Sequence, residues 1–317
     1  MAKKPTQHKR PGSAVKGNES EKRITGHDSE GEFVEKQKLS VKDPAALIEL
    51  IKQASSVTKN TTGLSDVLAR KYNRNYLDKT IVRADFATPI TLSFGLRKRL
   101  VRVLKDWFPV FEEGHLVEGE FSIGDSGTLE AKPTLGAKLW KLKGQGKSLA
   151  VSDNYCWVEY LKYESFDKLN EEFFSLLSVI LKSEPELKAK RLGLRYVDKL
   201  DFSDEPKPTE WGKYLCPELL ASFDLAEDRA LISRVFNILE MNYGDGLQLR
   251  FQYGMMNPDH PAAIKRKVYT LDHDVYAMGL YEKRELKELL GKLRIKAKES
   301  FERIITDGLR AKMGVKK

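Results

Sequence analysis

Hydrophobic and polar residues follow regular periods along most of the chain beyond residue 80. Residues 82–86 alternate between the two classes, which predicts a half-buried strand. Over 92–107 the apolar residues recur every three or four positions, which predicts an amphipathic helix ending at Pro109. Three further strands, separated by glycine-containing turns, are predicted at 116–123, 128–142 and 149–163.

A second helix and a fifth strand complete this first half. Ser165 is a helix-capping residue type at the start of an apolar stripe with helical spacing, and Pro185 marks the end of that helix. The stretch 190–202 then predicts a strand. The resulting order is β-α-β-β-β-α-β, a layout with helices packed on an antiparallel sheet.

The second half follows a linker at 203–209 that contains two prolines. It begins with a partly helical segment at 211–223 and continues with strands at 229–242, 247–255 and 267–276 and a long helix over 282–309. The fold class predicted is α+β, with two sheet-plus-helix halves, mainly antiparallel sheets and long amphipathic helices. Because each half combines a sheet with a long helix near its end, we interpret them as a degenerate duplication, although no repeat is visible at the residue level.

The remaining segments differ from these halves in composition. Residues 1–40 are rich in Lys, Glu, Gly and Ser with almost no large apolar side chains, which predicts a disordered basic tail. The predicted organisation is a tail at 1–40, a short helical extension at 41–79, the two halves at 80–203 and 210–312, and a basic end at 313–317.

Composition narrows the class of protein. No run of about 18 apolar residues is present, which predicts a protein without a membrane span. Cys156 and Cys216 are far apart and lack a partner motif, which favours a reducing compartment and a cytoplasmic location. The formal charge of +9 makes DNA or RNA a possible partner, although the 55 basic and 46 acidic residues are interspersed. The nucleic-acid candidates are the basic positions of two helices, Lys98, Arg102, Lys105, Lys287, Arg294 and Lys298.

Two short motifs imitate catalytic signatures. Gly146-Lys147-Ser148 resembles the end of a phosphate-binding loop, but the required earlier glycine is absent and a strand, not a helix, is predicted to follow. The stretch 124–127, Gly-Asp-Ser-Gly, resembles the nucleophile segment of a serine protease, but no histidine in the chain has a matching context. Both motifs are interpreted as turns, and the sequence predicts no catalytic residue, no metal site and no cofactor.

The most distinctive positions form two pairs of opposite charge. In the strand that contains Gly193, alternation places Arg191 and Arg195 on one face, and in the strand over 271–275 it places Asp272 and Asp274 on one face. The arginines are candidates for holding an anion or these aspartates. The interpretation favoured is an internal set of ion pairs; the alternatives are solvated surface pairs and a Mg²⁺ or Ca²⁺ site, with His260 or His273 as further ligands for a softer metal.

The same segments carry a resemblance. The strand Arg-Leu-Gly-Leu-Arg-Tyr at 191–196, the approach to its helix at 157–174, the Leu-Asp-x-Asp strand at 271–274 and the helix at 301–307 resemble a sporadically distributed bacterial family of uncharacterised proteins. The likeness covers about residues 80–312 and departs at Asp198, where that family more usually has Asn. It implies an accessory gene, of the mobile-element or anti-phage type, and a partner protein from the same operon.

Three hypotheses follow. The leading one is a noncatalytic protein-binding subunit of such an accessory system. The second is a nucleic-acid-binding protein that uses the basic tail and helices. The third is a metal-dependent hydrolase centred on Asp272 and Asp274.

Overall fold

The computed structural model describes residues 70–123, 129–202, 211–257, 260–262, 264 and 268–314, and among these it describes only the backbone of 116–123 and 129–135. The predicted tail at 1–40, the linker at 203–209 and most of the predicted end at 313–317 lie outside the described residues. Of the predicted helical extension at 41–79, only residues 70–79 are described, and they contain no helix because the first strand already begins at Leu77.

The described part of the chain forms a nine-stranded antiparallel sheet with four α-helices and three short 3₁₀ segments. The strands are β1 (Leu77–Phe86), β2 (Val110–Ile123), β3 (Leu129–Gly144), β4 (Lys147–Ser152), β5 (Tyr155–Tyr160), β6 (Ala189–Asp201), β7 (Val235–Gly244), β8 (Leu247–Met255) and β9 (Val268–Tyr281). The helices are α1 (Phe94–Leu104), α2 (Phe166–Leu181), α3 (Lys283–Ile304) and α4 (Asp307–Met313). The 3₁₀ segments are Trp211–Lys213, Pro217–Phe223 and Arg229–Leu231.

Both predicted halves contribute to this sheet, whose strand order is β2-β3-β4-β5-β1-β6-β9-β8-β7. The six strands of the first half are contiguous, the three of the second half are contiguous, and the pairing of β6 with β9 joins them. The α+β class and the antiparallel pairing are therefore confirmed, while the halves share one sheet instead of having one each. The idea of a duplication stays an interpretation.

Two predicted elements are each divided in two in the structure. The single strand expected at 149–163 is two strands, because the Ser152 hydroxyl accepts hydrogen bonds from the backbone N–H groups of Asn154 and Tyr155 and closes a turn between them. The first half therefore has one strand more than predicted. The final helix expected at 282–309 is interrupted at Ile305, whose extended backbone pairs with Leu215.

Where a contact between a helix and a strand side chain identifies a side of the sheet, it is always the same side. The His273 ring of β9 lies edge-on to Phe301 of α3, with centroids 6.3 Å apart, and the Tyr160 hydroxyl of β5 donates to Glu172 of α2 at 2.5 Å. Alternation along β6 places Leu192 on this helix-covered side. The hydrophobic core therefore lies between the sheet and its helices, and we call the opposite side the groove face.

The motif Gly146-Lys147-Ser148, which resembles a phosphate-binding loop, begins in a hairpin turn. Gly146 has a φ of 66° in the turn between β3 and β4, and Lys147 leaves it toward α2, where its Nζ lies 2.5 Å from a Glu172 oxygen. Because the lysine is committed to this inner pair, it is not a phosphate ligand. The other imitation, at 124–127, lies outside the described residues. Among the described residues, none of the helices has both the length and the hydrophobicity that a membrane span requires.

The chain enters the sheet against its own C-terminal helices. The Tyr72 hydroxyl donates to the buried Glu302 carboxylate of α3 at 2.7 Å, and Arg310 of α4 donates to the same carboxylate at 3.1 Å. The backbone N–H of Asn73 donates to the carbonyl of Gly314. These contacts hold the segment before β1 in place.

Candidate functional site

A groove of about 480 Å³ crosses the groove face over four adjacent central strands, β5, β1, β6 and β9. Its lining residues are Ile81, Arg83, Asp85, Trp157, Glu159, Arg191, Gly193, Arg195 and Asp274. Three of the four charged residues singled out from the sequence therefore line one groove, and the fourth, Asp272, contacts it through Arg195.

The predicted arginines and aspartates are paired across β6 and β9. Arg195 donates from Nε and from a terminal nitrogen to the two carboxylate oxygens of Asp272, at 2.8 and 2.5 Å. Arg191 donates to both oxygens of Asp274, at 3.3 and 3.1 Å. In the strand register Arg195 lies opposite Asp274, so that its side chain reaches diagonally to Asp272. The bidentate geometry fixes the direction of the Arg195 guanidinium.

Gly193 makes room for this arrangement. A Cβ atom at this position would lie 2.9 Å from a terminal nitrogen of Arg191, so the Arg191 guanidinium occupies the space that any other residue would need. The same guanidinium stacks over the Tyr276 ring, 4.6 Å from its centroid. The glycine between the two arginines is therefore required for Arg191 to lie flat on the sheet.

A third arginine extends the charged set, and the sequence reasoning missed it. Arg83 of β1 contacts Asp85 at 2.6 Å and stacks over Tyr155, 4.1 Å from the ring centroid. Asp85 also lies 3.6 Å from Arg191, which links the pairs on β1 and β6. The signal was present, because Arg83 and Asp85 alternate within a predicted strand in the same way as Arg191 and Arg195.

Burial and neighbouring groups shift the pKa values of two residues at the groove, Asp274 and Arg195. Desolvation raises the pKa of Asp274 even though the charges of Arg191 and Arg195 lower it. The hydrogen bonds with Asp272 raise the pKa of Arg195. The groove therefore favours the charged form of Arg195, and burial makes the Asp274 carboxylate easier to protonate although Arg191 and Arg195 oppose this.

The structure places His273 on one side of the sheet and the other candidate metal ligands, Asp272 and Asp274, on the opposite side. His273 lies on the helix-covered side, stacked on Phe251 with ring centroids 4.4 Å apart, and burial lowers its pKa to about 3. Asp272 and Asp274 are both engaged by arginines on the other side. Over the described ranges, no group of three or more His, Cys, Asp or Glu residues could hold a metal ion.

The nucleic-acid candidates differ in their surroundings. On α1 and at its C-cap, Lys98, Arg102 and Lys105 are exposed. On α3, Arg294 stacks over Phe166 at 4.3 Å and Lys298 donates to the backbone oxygen of Arg70 at 2.5 Å. Lys287 lies instead on a second groove between α2 and α3.

The groove combines three guanidinium groups, three carboxylates and one indole, and its lining contains no Ser, Cys, His or Lys side chain. Such an arrangement can accept a charged, polar segment by hydrogen bonding and stacking. The groups of the lining that could act as nucleophile or base are its carboxylates, and each lies within ion-pair distance of a cation: Asp85 of Arg83, Glu159 of Lys79 and Asp274 of Arg191.

No protein-family model matches this chain, and no curated protein matches it either.

Proposed function

We propose that the protein is a noncatalytic subunit that binds a partner protein at the groove face. The observation that carries this proposal is that the charged groups of the groove are already held in place by one another. Arg195 is fixed by Asp272, and Arg83 is fixed by Asp85. A surface whose side chains are fixed before binding loses less conformational entropy when a partner arrives.

The composition of the groove supports a protein ligand. Arginine and tryptophan dominate the binding energy of many protein interfaces, and here Arg83, Arg195 and Trp157 are partly exposed around Gly193. The balance of three arginines against three acids gives no field that would attract a polyanion. We expect a partner segment that carries both charge signs and lays an apolar side chain beside Trp157.

The partner is expected among the products of neighbouring genes, as the resemblance to an accessory family implies. A photo-crosslinking amino acid at position 157, in the full chain expressed in its native host, tests this. We expect a discrete adduct with one protein, and we expect Arg83→Glu to abolish that adduct because it reverses a charge on the rim.

A crosslinker at Lys292, an exposed position of α3, is the matched control. If position 157 gives no adduct, or gives the same adducts as position 292, the groove face does not bind a partner. The melting temperature of the Arg83→Glu chain, measured in parallel, shows whether the loss of the adduct reflects unfolding.

A second candidate function, nucleic-acid binding, is favoured by one observation on α1. Lys98, Arg102 and Lys105 are exposed at helical spacing, and no ion pair joins them to an acid of the described residues. We expect a gel shift that weakens steeply with salt and that the triple alanine variant at these positions reduces. The matched control is Lys287→Ala on α3. Absence of a shift at micromolar protein would exclude this function.

A further inference from the structure

The groove is too small to hold a protein partner by itself. Nine residues line it, whereas a stable protein interface uses roughly 20–30 residues and buries roughly 800 Å² on each partner. A protein that binds at the groove must therefore touch further residues of the groove face. The strands on the two sides of the groove differ in what they offer to such a contact.

Toward β4 and β3 the groove face continues with buried and basic positions. Ala150 of β4 lies opposite Trp157 and is buried, and Lys141 of β3 lies opposite Ala150. Lys143, two residues further along β3, is paired with Glu112 at 2.6 Å. Lysine is depleted at the centres of protein interfaces, so this side has the character of the rim of a contact.

Toward β7 the groove face carries exposed apolar residues. Met278 of β9 lies directly opposite Arg191 and is 45% exposed. Ile238 of β7 is aligned with Asp272 through the residue of β8 between them, so it shares the face of that aspartate, and it is 49% exposed. Phe236 lies two residues before Ile238 on the same face and is 44% exposed.

The charged groups of the groove continue between these apolar positions. Arg250 of β8 lies opposite Asp274, and its Nε atom lies 3.5 Å from the Glu240 carboxylate of β7. A band of paired charges thus reaches from β1 to the edge strand β7. Single exposed apolar residues are normal on a protein surface, but these lie around one band of paired charges on one face.

Strand spacing and register give the distances between the apolar positions. Trp157 and Ile238 lie on strands five spacings apart, about 24 Å across the sheet. With the offsets along the strands, Trp157, Met278 and Ile238 form a triangle with sides of about 16, 22 and 28 Å. The three positions are not in one line, so a single straight segment cannot contact all of them.

The area between these positions approaches that of a protein interface. The part of the face that holds them measures about 24 Å across the strands and about 20 Å along them, or about 500 Å². The side chains at its borders project further, which brings the area near the roughly 800 Å² that one partner buries.

We propose that a folded protein domain, and not a single peptide segment, covers the groove face from β5 to β7, with Trp157, Met278 and Ile238 as its apolar contacts. This extended contact rests on the proposed binding of a partner at the groove. The domain would present apolar side chains at three positions and polar groups of both charge signs over the band between them. The apolar contacts supply affinity, and the band, whose charges are already paired, supplies orientation.

Photo-crosslinking amino acids at positions 157, 238 and 278, each in the full chain expressed in its native host, test this. We expect all three positions to give an adduct with one and the same protein, identified by mass spectrometry. Position 239 is the matched control. Leu239 is 46% exposed on the same strand as Ile238, but it lies opposite Phe251 on the helix-covered side and should give no such adduct.

A pair of glutamate variants adds a second measurement. Ile238→Glu should lower the yield of the adduct at position 157 at least about tenfold, because it would bury a charge in an apolar contact. Leu239→Glu should leave that yield unchanged. Melting temperatures measured in parallel show whether each variant is folded, and Met278→Glu takes the place of Ile238→Glu if that chain is insoluble.

The outcomes separate this contact from the groove proposal. An adduct at position 157 that is not also formed at both 238 and 278 overturns the domain-sized contact and leaves the groove proposal standing. The same adduct at 239 as at 238, or equal effects of the two glutamate variants, also overturns it. No adduct at position 157 removes the groove proposal and the larger contact with it.

Discussion

The two sides of the sheet at β6 and β9 differ in whether their ionisable side chains have ion-pair partners. On the groove face Arg195 and Asp272 satisfy each other, although 41% of the arginine side chain and 9% of the aspartate side chain are exposed. Asp198 lies on the helix-covered side, because it is an even number of residues from Leu194 along β6, and His273 of β9 lies on the same side. Both side chains are buried, and neither forms an ion pair with a described residue. The difference separates a face on which Arg195 and Asp272 form an ion pair from a face on which Asp198 and His273 have no ion-pair partner among the described residues.

Asp198 and His273 change the stability of the fold with pH in opposite directions. Burial, with the nearby Asp272 charge, raises the pKa of Asp198 from 3.8 to about 7, so its contribution to stability is complete below pH 3.8 and is lost as the pH rises toward 7. Burial lowers the pKa of His273 from 6.5 to about 3, so its contribution is complete above pH 6.5 and is lost as the pH falls toward 3. Between about pH 4 and pH 6.5 these two slopes cancel.

The largest expected effect comes from neutralising Asp198. Asp198→Asn keeps the shape of the side chain but removes the proton that folding takes up. The free energy of unfolding of the variant should gain on that of the wild type by about 3 kcal/mol between pH 5 and pH 8. Urea unfolding at both pH values measures this. Asp78→Asn, on a half-exposed carboxylate paired with Lys199, is the control and should show almost no such change.

Removing the buried imidazole should have the next largest effect. His273 lies between Phe251 and Phe301, and its Nε2 atom has no hydrogen-bond partner among the described residues. His273→Phe should therefore resist acid, gaining about 2 kcal/mol on the wild type between pH 7 and pH 5. Thermal unfolding across this range measures the gain. Equal acid sensitivity in wild type and variant, or the same gain from changing the exposed His260, would contradict the account of His273.

Breaking a pair on the groove face tests whether its charges are structurally engaged. Arg195→Met would leave the Asp272 carboxylate buried without its partner, at a cost of about 2 kcal/mol, less than for a fully buried pair because Arg195 is partly exposed. Lys168→Met, which breaks an exposed pair with Glu164, should cost much less, because both charges remain solvated. Denaturant unfolding at pH 7 compares the two. Similar losses would show that the groove pairs are ordinary surface pairs.

The sequence predicted much of the sheet because its signals are local. Ser165 accepts the hydrogen bond that caps α2, as its residue type and position predicted. The turn at 153–154 was missed, although Ser152, Asp153 and Asn154 interrupt the apolar run with residue types that favour turns. The fold class thus followed from the patterns that were used, and this strand boundary would have followed from a turn signal that was not used.

Site prediction from the sequence stopped at a similar limit. Alternation placed Arg191 with Arg195 and Asp272 with Asp274, but which arginine reaches which aspartate depends on the register of β6 against β9, two strands that are far apart in the chain. His273 was considered as a metal ligand beside Asp272 and Asp274, although the same alternation already assigns it to the opposite face. A consistent use of alternation would have excluded it.

The smallest expected change in stability is that of Gly193→Ala, which tests directly whether the side chains of the groove face are held in place. Gly193→Ala adds a Cβ atom where the Arg191 guanidinium lies, and must displace that group from Asp274 and Tyr276. Gly114→Ala on β2 adds the same atom to a strand, but nothing lies within 4 Å of its Cβ position. Alanine favours a strand slightly over glycine, so Gly114→Ala should be neutral or mildly stabilising.

We expect the two alanine variants to differ in free energy of unfolding by about 1 kcal/mol, the order of one charge-assisted hydrogen bond, measured by urea unfolding at pH 7. Because strand propensity is common to both substitutions, the difference isolates the displaced arginine. If the two variants are equally stable, Arg191 is free to leave Gly193 at no cost, and the groove would then be shaped by its ligand instead of existing before the ligand arrives.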